Sequence, residues 1–227
     1  VTMSKEITVG CVRSELDIEA AARGGADAIG VTCGYRDGGS TVNRHRARWL
    51  LESVPAGITR VVASRFTGVE DTIELISRVQ PDRIQLDETD NPKLAEALRG
   101  LDDMPKIEQV FDVTSDTTPK DMAQFLDFID YAHVRVASPA LNGAERTHDW
   151  SVGQDMIDAA REAGKLTILS GGLTIDTVAT AIELTQPDGI YVDAGTKDIC
   201  GAHDAALVSR FVEAARCAFS ETTVLAA

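Results

Sequence analysis

A single-domain (β/α)8 barrel is the fold this sequence predicts, and three observations predict it. Eight short apolar runs of strand character alternate with eight stretches whose apolar residues recur at i, i+3 and i+4. Strict alternation of this kind demands a parallel sheet, because parallel neighbours need a crossover helix between them. Spread over eight units, the 227 residues leave about 28 for each, which suits a closed barrel with little spare chain. The third observation is a repeat. Gly25-Ala26-Asp27-Ala28-Ile29-Gly30, Pro81-Asp82-Arg83-Ile84-Gln85-Leu86 and Pro187-Asp188-Gly189-Ile190-Tyr191-Val192 each follow a helix-like stretch and begin an apolar run. Asp27 and Asp82 lie 55 residues apart, and Asp82 and Asp188 lie 106 apart, close to twice that. A strand around Tyr131 to Val136 falls near the missing midpoint, so the chain reads as quarters of about 53 residues, each with two strand–helix units. An open doubly wound sheet is the alternative, weakened by the absence of a GxGxxG motif after the first strand.

Taken in order, the first strand is Ile7–Val12, followed by a helix with Leu16, Ile18, Ala21 and Ala22 on one side. Ala28–Thr32 is the second strand, and Thr59–Ser64 the third, leading to a helix marked by Val69, Ile73 and Ile76. Arg83–Asp87, Lys106–Phe111 and Ala132–Val136 are the fourth, fifth and sixth. Leu166–Ser170 precedes a helix carrying Val178, Ala181, Ile182 and Thr185, and Gly189–Asp193 is the last strand. Leu207, Phe211, Val212 and Ala215 mark the helix that closes the fold. One domain spans residues 1–227, without a linker.

Composition limits the function. With 22 Lys+Arg against 36 Asp+Glu, the net charge is −14, which argues against a duplex nucleic-acid binder because phosphate neutralisation needs a basic face. The longest apolar runs fall short of the ~18 residues a membrane span requires, and no basic-then-apolar leader opens the sequence, so the cytoplasm is the expected compartment. Four cysteines without a CxxC pair argue against disulfides or structural zinc. The excess of acidic residues and the scarcity of Lys suit either a high-salt cytoplasm, where screening weakens self-repulsion, or a mildly acidic enzyme of an ordinary one. Nothing points to a nucleotide, flavin or metal, so no cofactor is expected, although Asp87, Glu108 and Asp193 leave a divalent cation open. The oligomeric state is not legible.

Barrel chemistry gathers at the C-terminal strand ends and the loops beyond them. Those positions hold Gly10/Cys11, Thr32/Cys33, Ser64/Arg65, Asp87/Glu88, Glu108/Gln109, His133/Arg135, Ser170–Leu173 and Asp193–Thr196. The longest loop, Ala137 to Trp150, is a candidate lid. Ser170-Gly171-Gly172-Leu173 after the seventh strand and Asp193-Ala194-Gly195-Thr196-Lys197 after the eighth form adjacent small-residue turns. Such turns present backbone N–H groups to an anion, so Gly171, Gly172, Gly195 and Thr196 are the candidate phosphate site. A small phosphorylated anion is therefore the expected ligand.

At these residues the sequence resembles phosphoribosylanthranilate isomerase, a TIM barrel of the ribulose-phosphate-binding type acting in tryptophan biosynthesis. The resemblance covers most of the chain and rests on Gly25–Gly30, Gln85-Leu86, Thr147-His148-Asp149-Trp150 and Ser170-Gly171-Gly172-Leu173, with Asp204 and Phe211 near the end. It implies an Amadori rearrangement of a phosphorylated ribosylamine to a ketose, needing an acid at the ring oxygen and a base at C2. In the family the base is a Cys ending the first strand, the acid an Asp ending the sixth, and an Arg after the second binds the anthranilate carboxylate.

This chain departs at all three positions. The base position falls on Gly10 in ungapped register and on Cys11 with one deletion; Cys11 is either the base or a small buried hydrophobe. The acid position falls on Arg135, a poor proton donor and a good anion clamp. His133 shares its face one layer deeper, as a titratable substrate contact or a satisfied core histidine. The family Arg falls on Ser40, with Arg36 nearby as a substitute or a solvated loop residue. Asp193 replaces a serine of the phosphate loop, where it must face away or pair with a cation, and Glu108 replaces a lysine. Asp87 ends the fourth strand as a mouth acid or a turn cap. Asp87, Glu108 and Asp193 are the candidate replacement acids. Three readings follow: an isomerase of the family type, a barrel that has diverged to another reaction on a phosphorylated or aryl-acid substrate, or a non-catalytic anion-binding barrel.

Overall fold

The computed structural model describes residues 5–34, 39, 41–87, 91–136 and 149–225. Eight parallel strands alternate with eight helices. The strands are β1 (Glu6–Val9), β2 (Ala28–Cys33), β3 (Thr59–Ser64), β4 (Arg83–Leu86), β5 (Lys106–Val113), β6 (Tyr131–Val136), β7 (Leu166–Ser170) and β8 (Gly189–Val192). The helices are α1 (Glu15–Arg23), α2 (Arg44–Glu52), α3 (Val69–Val79), α4 (Lys93–Arg99), α5 (Pro119–Ala123), α6 (Gln154–Glu162), α7 (Val178–Thr185) and α8 (Ala205–Leu225). Each strand pairs with its sequence neighbours, and β1 pairs with both β2 (Val9 beside Ile29) and β8 (Ile7 beside Ile190), which closes the barrel. A two-residue strand, Thr41–Val42, adds to the end of β2. Among the described residues, no helix is long and apolar enough to cross a membrane.

Two strand ends differ from the sequence pattern. β1 stops at Val9 instead of reaching Val12, because Cys11 takes a left-handed backbone conformation (φ 54°). β5 continues past Phe111 to Val113, which adds Asp112 to the barrel rim.

The apolar core lies outside the barrel wall, between strands and helices. Ile7, Val9, Ile29, Val31, Ile84, Ile107, Val134, Leu169 and Ile190 are buried there against Ile18, Leu50, Leu75, Leu98, Ile157, Ile182 and Phe211 from the helices. Each such side chain contributes about 1.5–3 kcal/mol by leaving water. The barrel interior is instead strongly polar: Thr8, Arg83, Gln85, Glu108, His133 and Ser170 are all buried.

The repeat read in the sequence has a structural cause. Asp27, Asp82, Asp130 and Asp188 each stand just before an even-numbered strand. Each carboxylate accepts from a backbone N–H of the preceding odd strand: Ile7 (2.9 Å), Arg60 (2.8 Å), Ile107 (2.9 Å) and Thr167 (3.0 Å). Each aspartate's own N–H donates back to the carbonyl of that same residue, at 2.8–3.0 Å. The missing midpoint is therefore Asp130, and all four clasps sit at the N-terminal end of the barrel.

Candidate active site

At the opposite end, the strand C-termini enclose a cavity of about 320 Å³, lined among others by Cys11, Thr32, Arg65, Gln85, Asp87, His133, Arg135, Ser170, Tyr191 and Asp193. The Gly10/Cys11 ambiguity is resolved by a bulge. Gly10 holds the inward strand position, with its N–H on the Val192 carbonyl at 2.9 Å, and Val12 resumes pairing on Gly30 at 3.0 Å. A Cβ on Gly10 would lie 1.8 Å from the Tyr191 hydroxyl, so only glycine leaves room for that ring. Cys11 is the extra residue, and its positive φ returns the side chain to the interior. Its Sγ lies 3.4 Å from Thr32 Oγ1 and 3.5 Å from the Tyr191 hydroxyl. Burial, then the charge of Asp193, push the thiol above its ordinary range, against the opposing pull of the two hydroxyls and Lys197.

The bulge is tied from below. His203 Nε2–H donates to the Gly10 carbonyl at 2.9 Å, and His203 N–H donates to Asp17 at 2.9 Å. Asp17 also accepts from the backbone N–H groups of Arg13 and Ser14, while Ser14 caps α1, so one buried carboxylate fixes the β1–α1 turn to the segment before α8.

The glycine turns line the same cavity as Cys11. Gly171 (φ 103°) and Gly172 (φ 61°) use conformations that L side chains rarely adopt. A Cβ on Gly171 would meet the Val136 carbonyl at 2.1 Å, and one on Gly195 would meet the Leu173 carbonyl at 2.1 Å. The two turns therefore need glycine to pack against their neighbours. Trp150 Nε1–H donates to the Gly171 carbonyl at 3.0 Å and pins the first turn.

Arg135 closes the rim. Its guanidinium reaches both oxygens of Asp112 (2.5 and 2.7 Å) and Oδ1 of Asp87 (2.5 Å), while Arg65 approaches Asp87 at 3.5 Å. The bonds from Arg135 hold the Asp112 carboxyl below the usual carboxylate range. Beyond this bridge lies a second cavity of about 610 Å³, lined by Phe111, Thr114, Asp116, Thr117, Asp121 and Phe125 among others.

Comparison with known proteins decides what this barrel is. The family model for N-(5'-phosphoribosyl)anthranilate (PRA) isomerase matches residues 11–214. The N-(5'-phosphoribosyl)anthranilate isomerase of Haloferax volcanii is 32% identical over 213 residues, covering 91% of each chain. The chain belongs to the PRA isomerase family. It is an isomerase of tryptophan biosynthesis. Two solved PRA isomerases share the fold at 21% identity: that of Thermotoga maritima (TM-score 0.76, covering 95% of this chain and all of that one) and one in complex with reduced 1-(o-carboxyphenylamino)-1-deoxyribulose 5-phosphate (TM-score 0.70, with the same coverage).

Set against the PRA isomerase pattern, the sequence-predicted residues divide. Cys11, Asp87, His133, Arg135, Gly171, Gly172, Asp193 and Gly195 line one cavity. Glu108 is not at the mouth. It is the third residue of β5 and wholly buried in the barrel interior, between Arg83 Nε at 2.8 Å and His133 Nδ1 at 2.7 Å. This removes one corner of the carboxylate trio considered for a cation, and among the described residues no group of three or more His, Cys, Asp or Glu is placed to hold a metal. The side chain of Thr196 is also turned away from the anion turns; it is buried against His203 Nδ1 at 3.0 Å. Asp193 pairs with Lys197. Arg36 and most of the Ala137–Trp150 loop lie outside the described residues.

Sequence reasoning missed Asp112, Tyr191 and Arg83. Asp112 and Tyr191 carry a period-2 signal, through Glu108–Val110–Asp112 and Gly189–Tyr191–Asp193. The first was lost by ending its strand at Phe111.

Proposed function

We propose that this chain converts N-(5'-phosphoribosyl)anthranilate to the corresponding 1-deoxyketose in the cytoplasm, with Cys11 as the base at C2. The Gly171–Gly172 and Gly195 turns hold the 5'-phosphate. The observation that carries this reading is the bulge that sends Cys11 into the cavity those turns also line. A ribosylamine phosphate anchored there places its C1–C2 bond toward Cys11, and Lys197 neutralises Asp193 beside the anion. Arg135 and Asp87 set the charge at the rim, where the aryl carboxylate arrives. The solved relative bound to a reduced deoxyribulose phosphate supports a ligand of this class in such a cavity.

The thiol must lose its proton to act, and burial makes that harder, so turnover rises with pH on its acid side. The test is conversion of PRA by the purified protein, followed by chromatography of the ketose. Cys11→Ala is expected to lower kcat by about 10²–10⁴-fold, the range for one acid–base group. The replacement of the family acid by Arg135 favours a second reading, a barrel diverged to another phosphorylated or aryl-acid substrate. A folded wild type without PRA turnover selects that reading and overturns the first.

A further inference from the structure

Opening a ribosylamine ring requires a proton on the ring oxygen as the C1–O bond breaks. Among the described residues, the carboxylates around the cavity are poorly placed to supply it. Asp87 is bound by Arg135 and Arg65, Asp112 by Arg135, and Asp193 by Lys197, so each of these carboxylates is already engaged by a cation. Arg135 itself does not release a proton.

Directly beneath the cavity lies a different arrangement. The Ser170 hydroxyl, on the cavity wall, is 2.7 Å from His133 Nε2. His133 Nδ1 is 2.7 Å from Glu108 Oε1, and Glu108 Oε2 is 2.8 Å from Arg83 Nε. Arg83 also binds Glu6 at 2.6 Å. Two carboxylates thus surround one guanidinium, and a doubly protonated imidazole brings this buried cluster to neutrality. With both nitrogens protonated, Nδ1–H donates to Glu108 Oε1 and Nε2–H to Ser170 Oγ. The remaining polar or titratable groups facing His133 are Gln85 on β4 (3.2 Å), Tyr191 on β8 (ring centroids 5.2 Å apart), Arg135 on its own strand with Asp112 beside it, and Cys11 behind Tyr191.

From this geometry we infer that Ser170, His133 and Glu108 form a proton relay that replaces the carboxylic acid of the family. The inference rests on the isomerase reading above. Ser170 Oγ–H donates to the ring oxygen while Oγ accepts the proton of His133 Nε2; the C1–O bond breaks, and the anthranilate nitrogen lone pair forms the C1=N bond. After Cys11 removes the C2 proton, the enol hydroxyl gives its proton back through Ser170 to His133. C1 takes a proton from Cys11, and the ketose leaves with the relay as it began. Ser170 is the catalytic residue, and His133 and Glu108 are positioning residues that act through it.

The test is Ser170→Ala, assayed for PRA turnover across pH beside the wild type, with melting temperature as the fold control. The expected result is a fall in kcat of about 10²-fold or more, KM within about threefold, and loss of the descending alkaline limb of the wild-type profile. His133→Gln is expected to lose the same limb. A Ser170→Ala enzyme with kcat within about threefold of wild type overturns the relay. So does a lower kcat with the alkaline limb unchanged, because the group then only maintains shape. Wild type that is folded but makes no ketose overturns the isomerase reading and the relay with it, whereas wild-type turnover with an indifferent Ser170→Ala overturns the relay alone.

Discussion

At the N-terminal end of the barrel, Asp27, Asp82, Asp130 and Asp188 make the same pair of bonds four times over. At the C-terminal end, the strands finish on different chemistry: Cys11 follows β1, Asp87 follows β4, Arg135 lies near the end of β6, and only the adjacent β7 and β8 share a device, a glycine turn. A repeated device serves a repeated need, here the stapling of each strand pair, and its loss at one position is a matter of stability. The rim has one substrate to hold, so its residues are unlike one another and a change there is a matter of chemistry. Between the ends sits the buried Arg83–Glu108–His133 cluster, which belongs to both.

The largest stability effect is expected in that cluster. Burial pushes the Glu108 carboxyl upward, but Arg83 and then His133 outweigh it and hold the group below the ordinary carboxylate range. Arg83→Met leaves Glu108 buried with only His133 to meet its charge and is expected to cost about 3–5 kcal/mol in urea unfolding. Adding Glu108→Met should recover part of that loss, since the uncompensated carboxylate is what makes the single change severe. A single variant as stable as the wild type shows that water, not Arg83, meets the charge.

A smaller effect is expected at the clasps, where it tests the division directly. Asp82→Ala and Asp130→Ala each leave a backbone N–H short of its partner and should destabilise by about 1–3 kcal/mol. Neither should shift KM for PRA. A KM change on altering Asp82, at the end remote from the cavity, breaks the separation between stapling and chemistry.

This division also explains what the sequence made legible. The clasps repeat, so Asp27, Asp82 and Asp188 stood out by the similar segments that carry them and by their spacing, while the strand count came from the alternating apolar runs. Asp130 escaped the motif because Ile129 precedes it where the other three have Gly-Ala or Pro. The rim does not repeat, and only side-chain type and resemblance marked it. Neither could show that a left-handed Cys11 carries its thiol back inside, because the Tyr191 ring that forces Gly10 to be glycine comes from the far end of the chain. Glu108 was misplaced for a related reason. Strand position fixes the face but not the depth, and depth is set by the tilt and stagger of the closed sheet.

The gentlest probe of the two ends is acid. The bulge at the mouth is held by His203, whose Nε2–H donates to Gly10 while Nδ1 accepts from Thr196, a neutral imidazole. Burial, then the nearby charge of Lys197, lower its pKa below the ordinary value, against the weaker opposing pull of Gly10, Asp17 and Asp193. A histidine depressed in the folded state contributes stability above its unfolded pKa of about 6.5, and that contribution is lost as pH falls from there toward the folded value. The clasp carboxyls of Asp82 and Asp130 are lowered as well, but from a carboxylate's starting value: Arg60 lowers the first, and for the second the Ile107 N–H and Arg99 outweigh burial. Their stabilisation persists until pH falls below about 4. Mild acid should therefore loosen the mouth while the stapled end still holds. The melting temperature of the wild type is expected to fall between about pH 7 and 5.5, and to fall less steeply in His203→Gln, which cannot gain the proton. Equal slopes in the two proteins exclude His203 as the origin of that loss and leave the mouth no more acid-sensitive than the base.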